Sequence, residues 1–360
     1  MTFLELKEDM KRRLGKIVPD TEIPIKAELI LDILKLKEEK NAVILGHNYM
    51  EPALFTYVPD YKGDSLELSR KAANTDKDVI VFCGVVFMAE TAKILSPDKT
   101  VLVPSLDAGC SLAESISADD IKALRELFPG VPVVSYVNTY ADVKAESDYC
   151  CTSGNADRVM KHLGNDTVIF LPDRFLASNV ADQLGRRIIF PEKKHGKFTG
   201  NFTDRYGKTI DARIDEPASW KGAVIGWDGR CEVHEKYTPD DIIRVRQQFP
   251  DVVVLAHPEC PPEVIKEADF AGSTSAMIDY VQKTQAPHYL LMTECSMGDN
   301  IMAANPEKDM LRLCSVRCPH MNQISLEQTK TALEELRYQI ELDEDLRKRA
   351  LLAVERMLAL

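Results

Sequence analysis

The sequence predicts an α/β fold of three similar three-layer αβα domains, each with a small parallel sheet, arranged around a pseudo-threefold axis. One supporting observation is that short apolar runs alternate with helical patterns of about 10 to 15 residues, as in KDVIVFCG followed by MAETAKILS. Such alternation is typical of strand–helix–strand units, whose parallel sheets carry helices on their faces. The second observation is an internal repeat that occurs three times along the 360 residues.

Each copy of the repeat begins with a strand that ends in polar residues: VILGHNY at 43–49, VVSYVN at 133–138 and VVLAHPE at 253–259. With His47, Tyr136 and His257 as anchors, a serine or threonine follows 17 or 18 residues later, and another strand follows 36 residues later. A cysteine closes each copy, at 63, 95 and 61 residues from the anchor. Because ligands of parallel α/β sheets bind at the carboxyl ends of strands, the repeat predicts one shared central site.

The repeat also predicts the domain boundaries. The first domain covers 24–110, and an N-terminal helix within 1–23 and C-terminal helices within 319–360 are expected to pack on it. The second domain covers 111–231 and is longer because of a polar insertion near 195–222. The third domain covers 232–318.

Composition and charge argue against several classes of protein. The net charge of −12, from 45 basic and 57 acidic residues, is unfavourable for nucleic-acid binding, and no Lys/Arg cluster with interleaved aromatic residues is present. No apolar run reaches the about 20 residues of a membrane-spanning helix, so no membrane association is expected. The segment MTFLELKEDMKRRLGK is typical of a charged amphipathic helix rather than a signal peptide, which predicts a cytoplasmic protein.

The nine cysteines do not have the pattern of a disulfide framework or a zinc finger, because their number is odd and no C-x-x-C pair occurs. Most of them are expected to be buried as small apolar side chains. We include the adjacent Cys150 and Cys151, and also Cys314, among these packing residues.

Three cysteines stand apart because each closes one copy of the repeat in a loop-like setting: Cys110, Cys231 and Cys318. Three thiolates, one from each copy, suit a [4Fe–4S] cluster with one open iron, which could act as a Lewis acid. Zinc held by three thiolates is a poorer fit, while a mixed zinc site that includes His234 remains chemically open.

Polar residues at the ends of the three strands are candidates for substrate binding and proton transfer: His47, Tyr49, Tyr136, Asn138, His257 and Glu259. A single histidine at such a position is often structural. Together, however, two imidazoles, two phenols, an amide and a carboxylate at equivalent strand ends can position a polar acid and move protons.

Small hydroxyl residues precede or open the helices that follow these strands: Ser65, Ser153, Ser273, Thr274 and Ser275. Such residues often cap helices. The same hydroxyls, together with helix N–H groups, can also hold a carboxylate or phosphate. Neither a P-loop nor a G-x-G-x-x-G motif is present, so nucleotide binding has no support.

The motifs GDSLELSRKAA, VVFMAETAKIL, AGCSLAESI, GRCEVHEKY, AHPECPPEV and RCPHMN resemble those of the quinolinate synthase family, the A protein of NAD biosynthesis. The resemblance covers nearly the whole chain, from 42 to 322. It implies three α/β domains around a pseudo-threefold axis, with a central [4Fe–4S] cluster on Cys110, Cys231 and Cys318. It also implies a transferase that condenses iminoaspartate with dihydroxyacetone phosphate to quinolinate, with loss of phosphate and two waters.

The resemblance further assigns roles to residues of the repeat. It implies catalytic roles for His47, Tyr49, His257 and Glu259. It implies substrate-binding roles for His47, Ser65, Tyr136, Asn138, Ser153, His234, His257, Glu259 and Thr274. Transient contact with the enzyme that supplies iminoaspartate is a further expectation.

The chain departs from the family pattern in two places. The family motif C-T-S-S-N reads C-T-S-G-N at 151–155, with Gly154 in place of the second serine, and the polar insertion before Trp227 is longer than the resemblance leads us to expect. Two alternative functions remain at this point. One is a redox-inactive α/β hydro-lyase or sugar-phosphate enzyme with zinc or no metal; the other is an iron–sulfur scaffold or redox sensor.

Overall fold

The computed structural model describes residues 1–194, 196–311 and 316–360. Helices and strands alternate along these residues, and the strands form three sheets, so the predicted α/β class is confirmed. Cys314 lies outside the described residues, as does residue 195 at the start of the polar insertion. None of the helices in the described ranges combines the length and apolar character needed to span a bilayer.

The first sheet has four parallel strands in the order β2-β1-β3-β4. They are β1 (Ala42–His47), β2 (Tyr61–Gly63), β3 (Val79–Cys83) and β4 (Thr100–Leu102). The helices of this region are α1 (Phe3–Leu14), α2 (Ile23–Glu39), α3 (Pro52–Tyr57), α4 (Ser65–Ala73) and α5 (Val86–Leu95). All six residues of β1 are buried, as is usual for a central parallel strand covered on both faces.

The second sheet has seven strands in the order β10-β9-β8-β11-β7-β5-β6. They are β5 (Val133–Tyr136), β6 (Tyr149–Cys151), β7 (Val168–Leu171), β8 (Ile188–Lys194), β9 (Lys197–Thr203), β10 (Thr209–Arg213) and β11 (Val224–Gly226). The helices are α6 (Ser111–Glu114), α7 (Ala118–Leu127), α8 (Ala141–Ala145), α9 (Ala156–His162), α10 (Arg174–Gln183) and α11 (Pro217–Trp220). Strand β9 pairs antiparallel with β8, and β10 pairs antiparallel with β9, so the polar insertion extends this sheet beyond the small parallel one that was predicted.

The third sheet again has four parallel strands, in the order β13-β12-β14-β15. They are β12 (Val252–Ala256), β13 (Phe270–Ala271), β14 (His288–Met292) and β15 (Met310–Leu311). The helices are α12 (Pro239–Gln248), α13 (Pro262–Glu267), α14 (Thr274–Lys283) and α15 (Cys295–Ala304), and short 3-10 helices lie at His234–Lys236 and Met321–Gln323.

The same strand order therefore occurs three times, because β6-β5-β7-β11 in the second sheet matches the order of the other two. One side-chain hydrogen bond repeats with it. The carboxylate just before β2, β6 or β13 accepts a backbone N–H of the neighbouring strand β1, β5 or β12, at 2.8 or 2.9 Å. These carboxylates belong to Asp60, Asp148 and Asp269. Each also pairs with a basic residue of the preceding long helix, namely Lys37, Arg125 and Arg246. The repeat seen in the sequence is thus a repeat of structure.

The chain ends in α16 (Leu326–Glu335) and α17 (Glu344–Ala359). Helix α16 packs on α2 of the first region. Helix α17 contacts α5 but also α8 and β6, and Asn155 donates a hydrogen bond to the Met357 carbonyl of this helix at 3.1 Å. The last helix therefore joins the first and second sheets.

Candidate active site

The carboxyl ends of the three sheets line one pocket. Two of the hydroxyl residues considered in the sequence analysis, Ser273 and Ser275, do not line it. All the residues to which the family resemblance assigns a role do: His47, Tyr49, Ser65, Cys110, Tyr136, Asn138, Ser153, Cys231, His234, His257, Glu259, Thr274 and Cys318. The wall also contains residues that were not predicted, among them Asp64, Val85, Met88, Glu294 and His320. No described residue of the polar insertion belongs to this pocket.

The three cysteines occupy equivalent places in the repeat. Each starts a helical turn after the fourth strand of the shared order, which is β4, β11 or β15. The carbonyl oxygen of each cysteine accepts the N–H of the fourth residue after it, at 3.0 or 3.1 Å. The N–H groups of the second and third residues point at the sulfur: Leu112 and Ala113 for Cys110, Val233 and His234 for Cys231, His320 and Met321 for Cys318. Each sulfur thus has donors that favour a bound thiolate.

A helix start follows seven residues after each cysteine, at Ser117, Thr238 and Ser325. In all three, the backbone N–H of this first residue donates to the side chain three positions later, at 2.9 or 3.0 Å. This is half of a capping box, a local signal that sequence spacing encodes. The cysteines are therefore held by short-range structure that is the same in all three copies.

Burial keeps these thiols protonated without a metal. It raises the pKa of Cys110 to about 12 and that of Cys318 to about 11, and it raises the pKa of Cys231 as well. A bound metal displaces such a proton, because the thiolate is the ligand. Three soft donors with N–H groups directed at each sulfur fit an iron–sulfur cluster.

The other cysteines in the described ranges do not line the pocket. Cys150 and Cys151 are free and fully buried in the core, so their predicted packing role is confirmed. Cys83 and Cys260 are likewise fully buried.

Glu259 is the centre of the polar groups in the pocket. Its Oε1 accepts the Tyr136 hydroxyl at 2.5 Å and the Asn138 amide at 3.4 Å, and its Oε2 lies 2.7 Å from His234 Nδ1. Burial alone would raise the pKa of Glu259, but the imidazoles of His234 and His257 and the Tyr136 hydrogen bond hold it well below its ordinary value. The group is therefore a carboxylate at neutral pH.

His47 and His257 lie in twin turns. The N–H of Tyr49 donates to His47 Nδ1 at 3.2 Å, and the N–H of Glu259 donates to His257 Nδ1 at 3.3 Å. Burial lowers the pKa of His47 to about 4 and that of His257 to about 3, so both rings are neutral near pH 7. Because Nδ1 accepts, the proton lies on Nε2, and each ring offers one N–H donor. His257 Nε2 lies 3.2 Å from the Ser153 hydroxyl oxygen.

Thr293 joins two of the predicted residues, and sequence analysis did not propose it for the site. Its Oγ1 lies 2.5 Å from the Tyr49 hydroxyl and 2.9 Å from His234 Nε2. Burial, with the charge of Glu259, raises the pKa of Tyr49 far above its ordinary value, so Tyr49 is a protonated phenol. One signal for Thr293 did exist, because it lies 36 residues after His257, at the repeat offset.

Of the polar residues at the starts of α4 and α14, some cap the helix and others line the pocket. Asp64 and Ser273 are the residues that cap α4 and α14, accepting N–H groups at 3.0 and 3.4 Å. Ser65 and Thr274 are the first residues of these helices and line the pocket, where the Asn48 amide donates to Thr274 at 2.9 Å. Their hydroxyls and the nearby helix N–H groups can therefore bind an anion.

The amide oxygen of Asn138 is buried and has no hydrogen-bond partner among the residues that the structure describes. Since buried polar atoms are nearly always paired, an unpaired acceptor in the wall of a pocket favours a ligand that donates to it. Asn138 is thus bound to Glu259 through its nitrogen and free to receive a ligand at its oxygen.

Comparison with known proteins gives one consistent family. The family described as quinolinate synthetase A protein matches residues 31–359. The chain is 50% identical over 347 residues to quinolinate synthase 2 of Mesorhizobium japonicum, which covers 96% of both chains. It is 48% identical to quinolinate synthase of Xylella fastidiosa, over 91% of this chain and 86% of that protein. It is 46% identical to that of Agrobacterium fabrum, over 96% and 90%.

Proposed function

The chain belongs to the quinolinate synthase family, and on this premise we propose that it condenses iminoaspartate with dihydroxyacetone phosphate. The product is quinolinate, formed with loss of phosphate and two waters in NAD biosynthesis. The observation that supports this most is the single pocket in which three cysteines meet anion-binding hydroxyls and an ionised, multiply bonded carboxylate. Substrate carboxylates, a phosphate and several proton transfers all need such groups.

Cys110, Cys231 and Cys318 would hold a [4Fe–4S] cluster with one iron left open. When bound, the cluster supplies a Lewis acid that polarises a substrate oxygen and helps water to leave. Among the described residues, the three cysteines do not together form one compact metal-binding group. This suits ligands spread around a cluster, which is larger than one ion.

The neutral histidines and the hydroxyls would hold the anionic parts of the substrates. His47 and His257 each present an Nε2–H, and Ser65, Ser153 and Thr274 present hydroxyls in the wall of the same pocket. Neutral donors bind carboxylates and phosphate without the cost of burying a second charge. The pairing of each Nδ1 with a backbone N–H fixes which nitrogen faces the ligand.

Glu259 and Tyr49 would handle protons. Glu259 is ionised and can accept a proton, whereas the buried phenol of Tyr49 keeps its proton and can donate it. Condensation, imine formation and dehydration each require a proton to be removed from one atom and given to another. A base and an acid on opposite sides of His234 meet that requirement.

The test is anaerobic purification of the protein and of the separate variants Cys110→Ala, Cys231→Ala and Cys318→Ala, with iron and sulfide quantified and quinolinate formation assayed. We expect each variant to lose the cluster and the activity. Cys83→Ala is the matched control, because Cys83 is fully buried and outside the pocket. Full clusters in all three variants, or loss of the cluster in Cys314→Ala alone, would refute the ligand set. A cluster without quinolinate formation in the wild type would favour a scaffold or sensor.

A further inference from the structure

A second donor set lies in the wall of the pocket and differs in chemistry from the three cysteines. We propose that the cluster-free protein binds one Zn²⁺ ion at Cys231, His234 and Glu259, and that this ion and the cluster exclude each other because they share Cys231. The zinc site depends only on these three side chains and not on the proposed activity. The exclusion of the cluster does rest on the proposed function.

The geometry of the three donor atoms suits one ion. Cys231 Sγ, a ring nitrogen of His234 and a carboxylate oxygen of Glu259 lie within 4.8 Å of one another. His234 Nδ1 is 3.1 Å from the sulfur and 2.7 Å from Glu259 Oε2. Around tetrahedral zinc, with bonds of about 2.0 to 2.3 Å, neighbouring donors lie about 3.3 to 3.6 Å apart. Outward shifts of less than about 1 Å would therefore admit the ion.

Both non-sulfur ligands already have the outer partners that zinc ligands usually have. With Nδ1 on the metal, His234 carries its proton on Nε2, which lies 2.9 Å from Thr293 Oγ1. The other carboxylate oxygen of Glu259 accepts the Tyr136 hydroxyl at 2.5 Å. Such partners orient the ligands and raise metal affinity. The side chains of His234 and Glu259 are only 1% and 3% exposed, so the surrounding residues leave them few other conformations.

The donor types also separate this site from the cluster site. Thiolate, imidazole and carboxylate are all ligands that zinc accepts, and catalytic zinc sites combine three protein ligands with an open fourth position. Three thiolates from three sheets are instead an iron–sulfur set. Zinc at the first set would hold Cys231 away from the second, and the enzyme would stay without its cluster.

The experiment is an anaerobic zinc titration of the full-length, chelator-treated protein, in competition with a chromophoric zinc chelator. We expect one tight site that is weakened in Cys231→Ala, His234→Ala and Glu259→Gln. Cys110→Ala and Cys318→Ala are matched controls that should keep wild-type zinc affinity, although both should lose the cluster. Equal loss of zinc affinity in all three cysteine variants would overturn the proposal, as would a wild-type protein that binds no zinc.

Cobalt substitution and an outer-partner variant provide independent readouts. Co²⁺ at the site should show a thiolate-to-cobalt absorption band with the intensity of one sulfur ligand. A band with the intensity of three sulfur ligands would contradict the assignment. Thr293→Val should weaken zinc about 10- to 100-fold, as expected for an outer partner. Thr284→Val is its control, because the Thr284 hydroxyl also contacts a tyrosine hydroxyl, at 2.9 Å, outside the pocket. Thermal unfolding without zinc tests whether each variant is folded.

The exclusion is tested by offering iron and sulfide to zinc-loaded and to zinc-free protein. We expect the cluster to assemble only in the zinc-free sample, and assembly alongside retained zinc would refute the exclusion. Failure of the zinc-free protein to assemble a cluster would count against the proposed function and leave the zinc site standing. The two ideas can thus fail separately.

Discussion

The strand ends of the first and third sheets differ from that of the second. His47 and His257 end in the same turn, with a backbone N–H on Nδ1, and they become neutral donors. At the equivalent place Tyr136 has a turn held by the Thr139 hydroxyl on its carbonyl, and its phenol donates to Glu259. Equivalent positions in a repeated fold therefore have different roles. His47 and His257 present N–H donors to the pocket, whereas Tyr136 holds the Glu259 carboxylate in place.

The largest effect on turnover is expected from removing the negative charge of Glu259. Glu259→Gln takes away the ionised acceptor held by Tyr136, Asn138 and His234. We expect turnover to fall about 100- to 10,000-fold, the usual contribution of an acid/base group. Quinolinate formation is measured beside iron and sulfide content. Unchanged turnover with an intact cluster would remove Glu259 from the proposed proton transfers.

Tyr136→Phe tests the separate task of the second strand end. It removes one hydrogen bond to a buried carboxylate, which is worth about 1.5 to 3 kcal/mol. We therefore expect kcat/KM to fall about 10- to 100-fold, less than for the charge itself. If Tyr136→Phe and the wild type have equal kcat/KM values, the phenol has only a packing role and the difference between the strand ends has no catalytic meaning.

The twin histidines should make stability depend on pH. Each has a pKa of about 4 or about 3 in the folded protein, against 6.5 ordinarily. Between these values the unfolded chain binds more protons, so the free energy of unfolding is undiminished above about pH 6.5 and falls as the pH drops toward 4. Urea unfolding of metal-free protein at about pH 7.5 and about pH 5 measures this.

The pH effect should be smaller in His47→Gln and His257→Gln, because each removes one buried group that resists protonation. His162→Gln is the control, since this histidine is exposed. An identical pH dependence in the wild type and both buried variants would contradict neutral burial of the two rings.

The smallest effects concern two glycines near the strand ends. A Cβ on Gly46 would lie 2.4 Å from Pro59, so Gly46→Ala should destabilise by about 1 to 3 kcal/mol. A Cβ on Gly154, the departure from the family motif, would meet only ordinary contacts at 3.5 Å or more. Gly154→Ala should change stability by less than about 0.5 kcal/mol. Denaturant unfolding compares the two, and a reversed order would show that the backbone near one of them moves.

Much of the site could be predicted because it repeats. Matched offsets placed His47, Tyr136 and His257 at strand ends and Cys110 and Cys318 in one pocket, since each depends on local strand–helix structure that occurs three times. Thr293 lay at a repeat offset too, but nothing local shows that Tyr49 would reach it from 244 residues away. The β9–β10 extension was missed because its polar sequence lacks the apolar run that marks a buried strand.

By itself, the sequence determined the α/β class, the three repeats, the helix starts that follow the cysteines and the family to which the chain belongs. These depend on residue spacing and on neighbours within a few turns of chain. Only the tertiary structure decided that Glu259 is ionised between Tyr136 and His234, and that Cys231 lies beside both His234 and Glu259. The contacts of Glu259 join segments that are far apart in the chain, and their distances and burial follow from how the sheets pack.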